Sequence, residues 1–183
     1  MNHSYYMHIY PNPYYGFIPL GNYNHTLDPT YWHTLHSTNY SNSFFPDVIQ
    51  PILKDHGGHP FVVNIHQAAR QNNTFRDAIW TGNHLQVTLM SIDVGDDIGL
   101  EIHHDVDQFL RIEEGQGFVQ MGKTKNHLHF EKYVGDDSAI MIPAGTWHNL
   151  TNIGNVPLKL YSIYGPPNHP FGTIHKTKAD AED

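Results

Sequence analysis

Cysteine is absent from the 183 residues. That removes disulfides, thiolate zinc sites and cysteine nucleophiles together. Charge is sparse as well: charged residues make up 15% of the chain, with 10 Lys and Arg against 18 acids and a formal charge of −8. With no basic patch to neutralise phosphates, nucleic acid is excluded as a partner. The same acidity weakens any pull toward anionic membranes, and no apolar run is long enough to span a bilayer. The opening MNHSYYMHIYPNPYY lacks the basic start and apolar stretch of a secretion signal. A cytoplasmic protein without membrane partners is the expectation.

What the chain does have is histidine, 16 in all, and aromatic side chains at 13%, chiefly tyrosine. So many imidazoles raise the prospect of metal chemistry without locating it. The length allows one domain with a real core plus an extension.

Residues 1–53 differ from the remainder. They hold eight of the eleven Tyr, six Asn, five His, two acids and no Lys or Arg. Prolines at 11, 13, 19, 29, 46 and 51 break any long helix. The segment reads as a low-complexity extension with little regular structure. Its alternative is an adhesive or assembly tail, since tyrosine offers large amphipathic contact area. His3, His8, His25, His33 and His36 within it follow no ligand spacing.

Residues 54–60 contain DHGGHP and read as a linker. A short strand is expected over Phe61–Ile65, then a helical turn or two over His66–Phe75 that breaks at the Asn pair. From Arg76 to residue 165 brief apolar runs are cut by turns. Strands are expected at Asp77–Thr81, Leu85–Ile92, Gly99–His103, Gln108–Glu113, Gly117–Met121, Leu128–Tyr133, Ala139–Ile142, His148–Asn152 and Leu158–Tyr164. Short strands at this spacing indicate an all-β antiparallel sandwich or closed barrel, not a βαβ fold.

Two stretches concentrate the chemistry: GLEIHHDVDQFLRIEEGQG over 99–117 and PAGTWHNLTN over 143–152. Alternation puts Glu101 and His103 on one strand face and His104 on the other. Gln108 opens the return strand, and His148 follows a Pro-x-Gly turn. A buried carboxylate needs a cation or a hydrogen-bond partner, so Glu101 is either a ligand or a structural acid. Asn152 is read as a turn stabiliser, and Asp105 and Asp107 as solvated turn charges. Leu110, Ile112, Leu158, Leu160, Ser162 and Tyr164 are expected to point inward. They would line a mostly apolar cavity suited to a small molecule.

These stretches resemble the two motifs of the cupins, usually written G-x5-H-x-H-x3-4-E-x6-G and G-x5-P-x-G-x2-H-x3-N. In the second, Pro143, Gly145, His148 and Asn152 stand at the expected spacing, with Gly135 two residues farther upstream than usual. In the first, counting back from Gly115, Gln108 stands where the family has Glu. His103 stands at the second His, and Glu101 replaces the first. The resemblance spans roughly Phe75 to Tyr164 and implies a double-stranded β-helix, the jelly-roll cupin barrel, over residues 61–176. The irregular extension precedes it, and a charged tail over 177–183 follows.

The resemblance also implies a metal set of Glu101, His103, Gln108 and His148. The family's three His and one Glu bring one negative charge, and this set brings one too. Two imidazoles and a carboxylate suit non-haem Fe, while Mn, Zn, Ni or Co fit the same atoms. Gln108 either ligates or orients a water or substrate, and Glu101 and Gln108 are the candidate catalytic groups. His169, His175 and Lys176 either fold across the barrel mouth or belong to a strap packed on its wall.

Two functions compete. One is a metal-dependent enzyme, oxygenase-like or sugar-isomerase-like, acting on a small oxygenated ligand in the barrel. The other is a non-catalytic binding or structural module, its Tyr-rich tail resembling in composition those of layered assemblies such as spore coats. A homodimer is implied by the resemblance alone.

Overall fold

The computed structural model describes residues 54–181, so the expectations for residues 1–53 lie outside the described part. Nine strands form two antiparallel sheets. They are β1 (Arg76–Thr81), β2 (Gln86–Ile92), β3 (Asp107–Glu114), β4 (Gly117–Gly122), β5 (Phe130–Val134), β6 (Ala139–Ile142), β7 (Trp147–Asn152), β8 (Leu158–Gly165) and β9 (Ile174–His175). The larger sheet has the order β6-β3-β8-β2-β1-β9 and the smaller β5-β4-β7. The all-β double-stranded helix expected from the sequence is present.

Register fixes what faces inward. Directly opposed residues in an antiparallel ladder share a face. Met90 opposes Leu160, Leu160 opposes Ile112, and Arg76 opposes Met90. One step along lies the row Thr88, Ser162 and Leu110, and beyond it Gln86, Tyr164 and Gln108. From the smaller sheet Val119, Met121 and Leu150 meet Met90, Leu110, Ile112 and Leu160 in one buried cluster. Alternation in β3, β4, β6 and β7 thus packs an apolar core between the two sheets. Polar side chains gather toward the row of Gln86, Tyr164 and Gln108, and Arg76 stands in the apolar row beside Met90.

The outer face of the larger sheet is covered by helix α1 (Ile65–Gln71). Ala68 and Ala69 pack there against Ile79 and Leu89, their small side chains letting the helix approach closely. The expected strand at 61–65 is not formed. Asn64 instead caps the helix, its side chain accepting from the Gln67 amide at 3.1 Å. The helix ends at Asn72, as the Asn pair implied.

Residues 54–60 are tied to β1 and to the carboxy-terminal strap. The His56 amide donates to the Ile79 carbonyl, and the Asp55 carboxylate accepts from Thr81 Oγ1 and the Gly172 amide. Asp77 lies nearby on the outer face of β1, buried and with Oδ1 unpaired. Burial, with the neighbouring Asp55, raises its carboxyl to about 6.

The expected strand at 99–103 is also broken. Residues 95–101 do run along β7, with mutual backbone bonds between Glu101 and His148 at 3.0 and 2.9 Å. Gly99, however, sits at φ +86°, a left-handed conformation that interrupts extended backbone. The Asp97 side chain holds that turn by accepting from the Gly99 amide. After Glu101 the chain leaves the ladder, and the His103 carbonyl accepts from the Gly145 amide at 2.7 Å.

Candidate metal centre

Two turns deliver the three best ligands. The bridge to β7 aims Glu101 inward, and the departure at Ile102 swings His103 beside it. The Pro143–Gly145 turn, with Gly145 at φ +74°, sets His148 at the start of β7. Asp107 is exposed but is not merely solvated. Its Oδ1 accepts from the Ala144 amide at 2.8 Å and fixes that turn.

One ligand atom from each of Glu101, His103 and His148 lies within 4.8 Å of the other two. Glu101 Oε1 is 3.4 Å from His103 Nε2 and 3.3 Å from His148 Nε2. The three atoms are buried, and none has a hydrogen-bond partner. His148 is the deepest, its side chain 1% exposed. Its Nδ1 lies 2.9 Å from the Thr146 carbonyl. A carbonyl only accepts, so Nδ1 carries a proton and Nε2 is the ring atom turned to the centre. Burial alone would raise the Glu101 carboxyl, but His103 and His148 outweigh it and hold the group at about 2.

Three orphaned lone-pair atoms facing one another fit a cation, and the donor set of two nitrogens and a carboxylate suits a divalent first-row metal. Gln108 is placed to assist. It is buried, its Nε2 donates to Ser162 Oγ at 3.1 Å, and Oε1 is left without a partner. His104 is exposed and takes no part.

Asn152 has the structural role expected of it. Its amide donates to the carbonyls of Ile92 and Val156, and its oxygen accepts from Gly154. The inward set Leu110, Ile112, Leu158, Leu160, Ser162 and Tyr164 is wholly buried. Tyr164 sets its ring edge against His103, centroids 5.8 Å apart.

The carboxy-terminal strap reaches the same wall. Buried Gln86 holds it, accepting from the amides of Asn168 and His169 and donating to the His169 carbonyl. The His169 ring meets Tyr164 edge-on at 5.1 Å, while Lys176 is exposed. Arg76, Thr88 and Gln86 went unnoticed in the sequence. The inward direction of Gln86 and Thr88 follows from the register of β2 with β8, and that of Arg76 from its pairing with Met90 on β2.

A groove of about 490 Å³ is lined by Leu85, Phe109, Met141, Ile142, Pro143 and Ile163. Phe109, Met141 and Ile163 oppose one another on the outer face of the large sheet, and Asp107 and Gln108 also line the groove. Among the described residues no helix is long and apolar enough to cross a membrane.

Residues 88–164 match the cupin domain model. The chain is 71% identical over 130 residues to the uncharacterized protein YrkC of Bacillus subtilis, covering 71% of this chain and 70% of that one. It is 43% identical to the uncharacterized protein L612 of Acanthamoeba polyphaga mimivirus over 115 residues, 62% of this chain and 70% of the relative. The crystal structure of BH2720 from Bacillus halodurans is 66% identical with a TM-score of 0.70, covering 70% of this chain and 98% of that one. An uncharacterized double-stranded β-helix protein from Klebsiella pneumoniae, 16% identical with a TM-score of 0.51, shares the fold over 64% of this chain and 98% of its own. By barrel topology, by the Pro143–Asn152 motif and by these relatives, the chain belongs to the cupin superfamily.

Proposed function

We propose that this cupin is a metal-dependent enzyme acting on a small oxygenated substrate inside the barrel, by oxygenase-like or sugar-isomerase-like chemistry. The observation that carries the reading is the convergence of three buried, unpartnered ligand atoms from Glu101, His103 and His148. Unpaired polar atoms at this depth are costly unless something binds them. Glu101, His103 and His148 would hold a divalent ion, with Gln108 Oε1 as a fourth, weaker contact or as an anchor for water or substrate. When bound, the ion supplies Lewis acidity toward a substrate oxygen, or a redox centre if it is iron.

The remaining roles belong to the chain itself. Glu101 stays ionised across the neutral range, because the two imidazoles hold it at about 2. Tyr164 is driven the other way: burial raises its phenol above the ordinary value and outweighs the lowering by nearby Arg76. It therefore stays protonated and offers Oη–H as a hydrogen-bond donor to a substrate oxygen. Met90, Ile112 and Leu160, buried with the rest of the apolar cluster, keep water from the interior, which strengthens polar contacts near the centre.

Metal analysis of the full chain, expressed without added metal, tests the reading. The expected outcome is one Fe, Mn, Zn or Ni per chain. Oxygen uptake with small hydroxy or keto compounds would mark the oxygenase form, and isomerisation without uptake the other. A chain that binds none of these metals, even when each is supplied, would remove the enzymatic reading and leave a binding or structural module.

A further inference from the structure

The strand β1 carries a second unsatisfied group inside the barrel. Arg76 opposes Met90, itself part of the buried cluster between the sheets, and is 4% exposed. Its Nη1 lies 3.4 Å from His175 Nδ1, and its Nε is buried without any partner. Among the described residues no carboxylate lies within 4 Å of this guanidinium. A buried cation in that condition calls for an anion.

Other groups on the inner wall want a partner too. Thr88 Oγ1 and Tyr164 Oη are both buried and face one another without a hydrogen bond of good geometry. Rings connect this region to the metal centre: His175 packs against His169 at 6.3 Å, His169 against Tyr164 at 5.1 Å, and Tyr164 against His103 at 5.8 Å. One wall thus runs from an unpaired cation to the cluster of Glu101, His103 and His148.

We propose that Arg76, with Thr88 and Tyr164, binds the carboxylate of an organic acid whose second oxygen function reaches Glu101, His103 and His148. The second half rests on the metal reading above, and the first stands on Arg76 alone. The charge count favours a carboxylate over a phosphate ester. Burial, then Arg76 itself, lowers His169 to about 3 and lowers His175 as well. Both imidazoles are therefore neutral, and the wall offers one positive charge, matched by a monoanion. The planar guanidinium fork suits the two oxygens of a carboxylate.

Isothermal titration of the full chain tests the proposal with glycolate, acetate and inorganic phosphate as probes, in metal-loaded and chelator-treated protein. Acetate is expected to bind both forms alike, and glycolate to bind the metal-loaded form more tightly. Phosphate should bind more weakly than either. Arg76→Gln should lose at least tenfold in carboxylate affinity while keeping its metal. If that variant fails to fold, Thr88→Val and Arg76→Lys serve, each expected to weaken acetate with the metal content unchanged. Carboxylates that bind Arg76→Gln as tightly as the unaltered chain, or fail to bind the metal-loaded chain, overturn the subsite and leave the metal reading intact. Glycolate binding that needs Arg76 but ignores metal overturns only the link to the metal centre.

Discussion

His148→Ala protein is expected to gain no stability from divalent metal, whereas the unaltered chain should gain about 2.7 kcal/mol at free metal 100-fold above its dissociation constant. For a chain of this size that is roughly 5–10 °C in melting temperature, at about 2–4 °C per kcal/mol. By linkage, an ion that binds only the folded chain stabilises it by its binding free energy. His148 is the residue to remove because its tautomer is fixed by the Thr146 carbonyl and its Nε2 has no role in the fold. Losing even a group that merely orients a ligand costs about 10–100-fold in metal affinity, and losing the ligand costs more. Glu101→Gln keeps the shape and removes the charge, so it separates a lost ligand from a packing defect. Thermal unfolding with and without chelator reads both variants. A metal-dependent rise that persists in His148→Ala would place the ion elsewhere.

Asp77→Asn is expected to stabilise the folded chain near pH 7.5 and to remove part of its pH dependence. The Asp77 carboxyl rises from 3.8 to about 6 on folding, through burial and the nearby Asp55. Between those two values the folded state holds a proton that the unfolded state has released. Stability from this group therefore falls as pH rises from about 4 to about 6 and stays low above that. The shift corresponds to no more than about 3 kcal/mol. Water reaching part of the carboxylate screens it, so a gain on the order of 2 kcal/mol is expected. Urea unfolding of both proteins across pH 4–8 measures the difference, in which the other carboxylates cancel. Parallel curves would show that Asp77 pays no desolvation cost.

Strands β3, β4, β6 and β7 are legible because each is half-buried, and period-2 alternation is the direct imprint of that condition; β5, exposed along most of its length, is marked instead by its flanking turns. The second motif was legible for a related reason, since a Pro-x-Gly turn constrains backbone and spacing together. Glu101 and His103 do converge, though not by strand alternation: a left-handed Gly99 and a departure at Ile102 do the aiming. The capped helix at Asn64 was obscured by Phe61–Ile65, an apolar run that reads equally well as strand. For Arg76 the pairing with Met90 across the β1–β2 hairpin decides the direction, and an arginine at a strand's first residue reads equally well as a solvent-facing charge. Thr88 was hidden because its inward direction depends on pairing with Ser162, on a strand distant in sequence. The strap shows the same limit, for Gln86 holds His169 across 83 residues of chain.

The central claim is that one metal ion is held by Glu101, His103 and His148, and its stoichiometry is the most direct test. Full chain and a His103→Ala, His148→Ala double variant are purified in parallel without added metal, and metal per chain is measured by mass spectrometry after exhaustive desalting. About one equivalent is expected in the unaltered chain and next to none in a double variant that still folds. A folded double variant that kept full stoichiometry would contradict the claim.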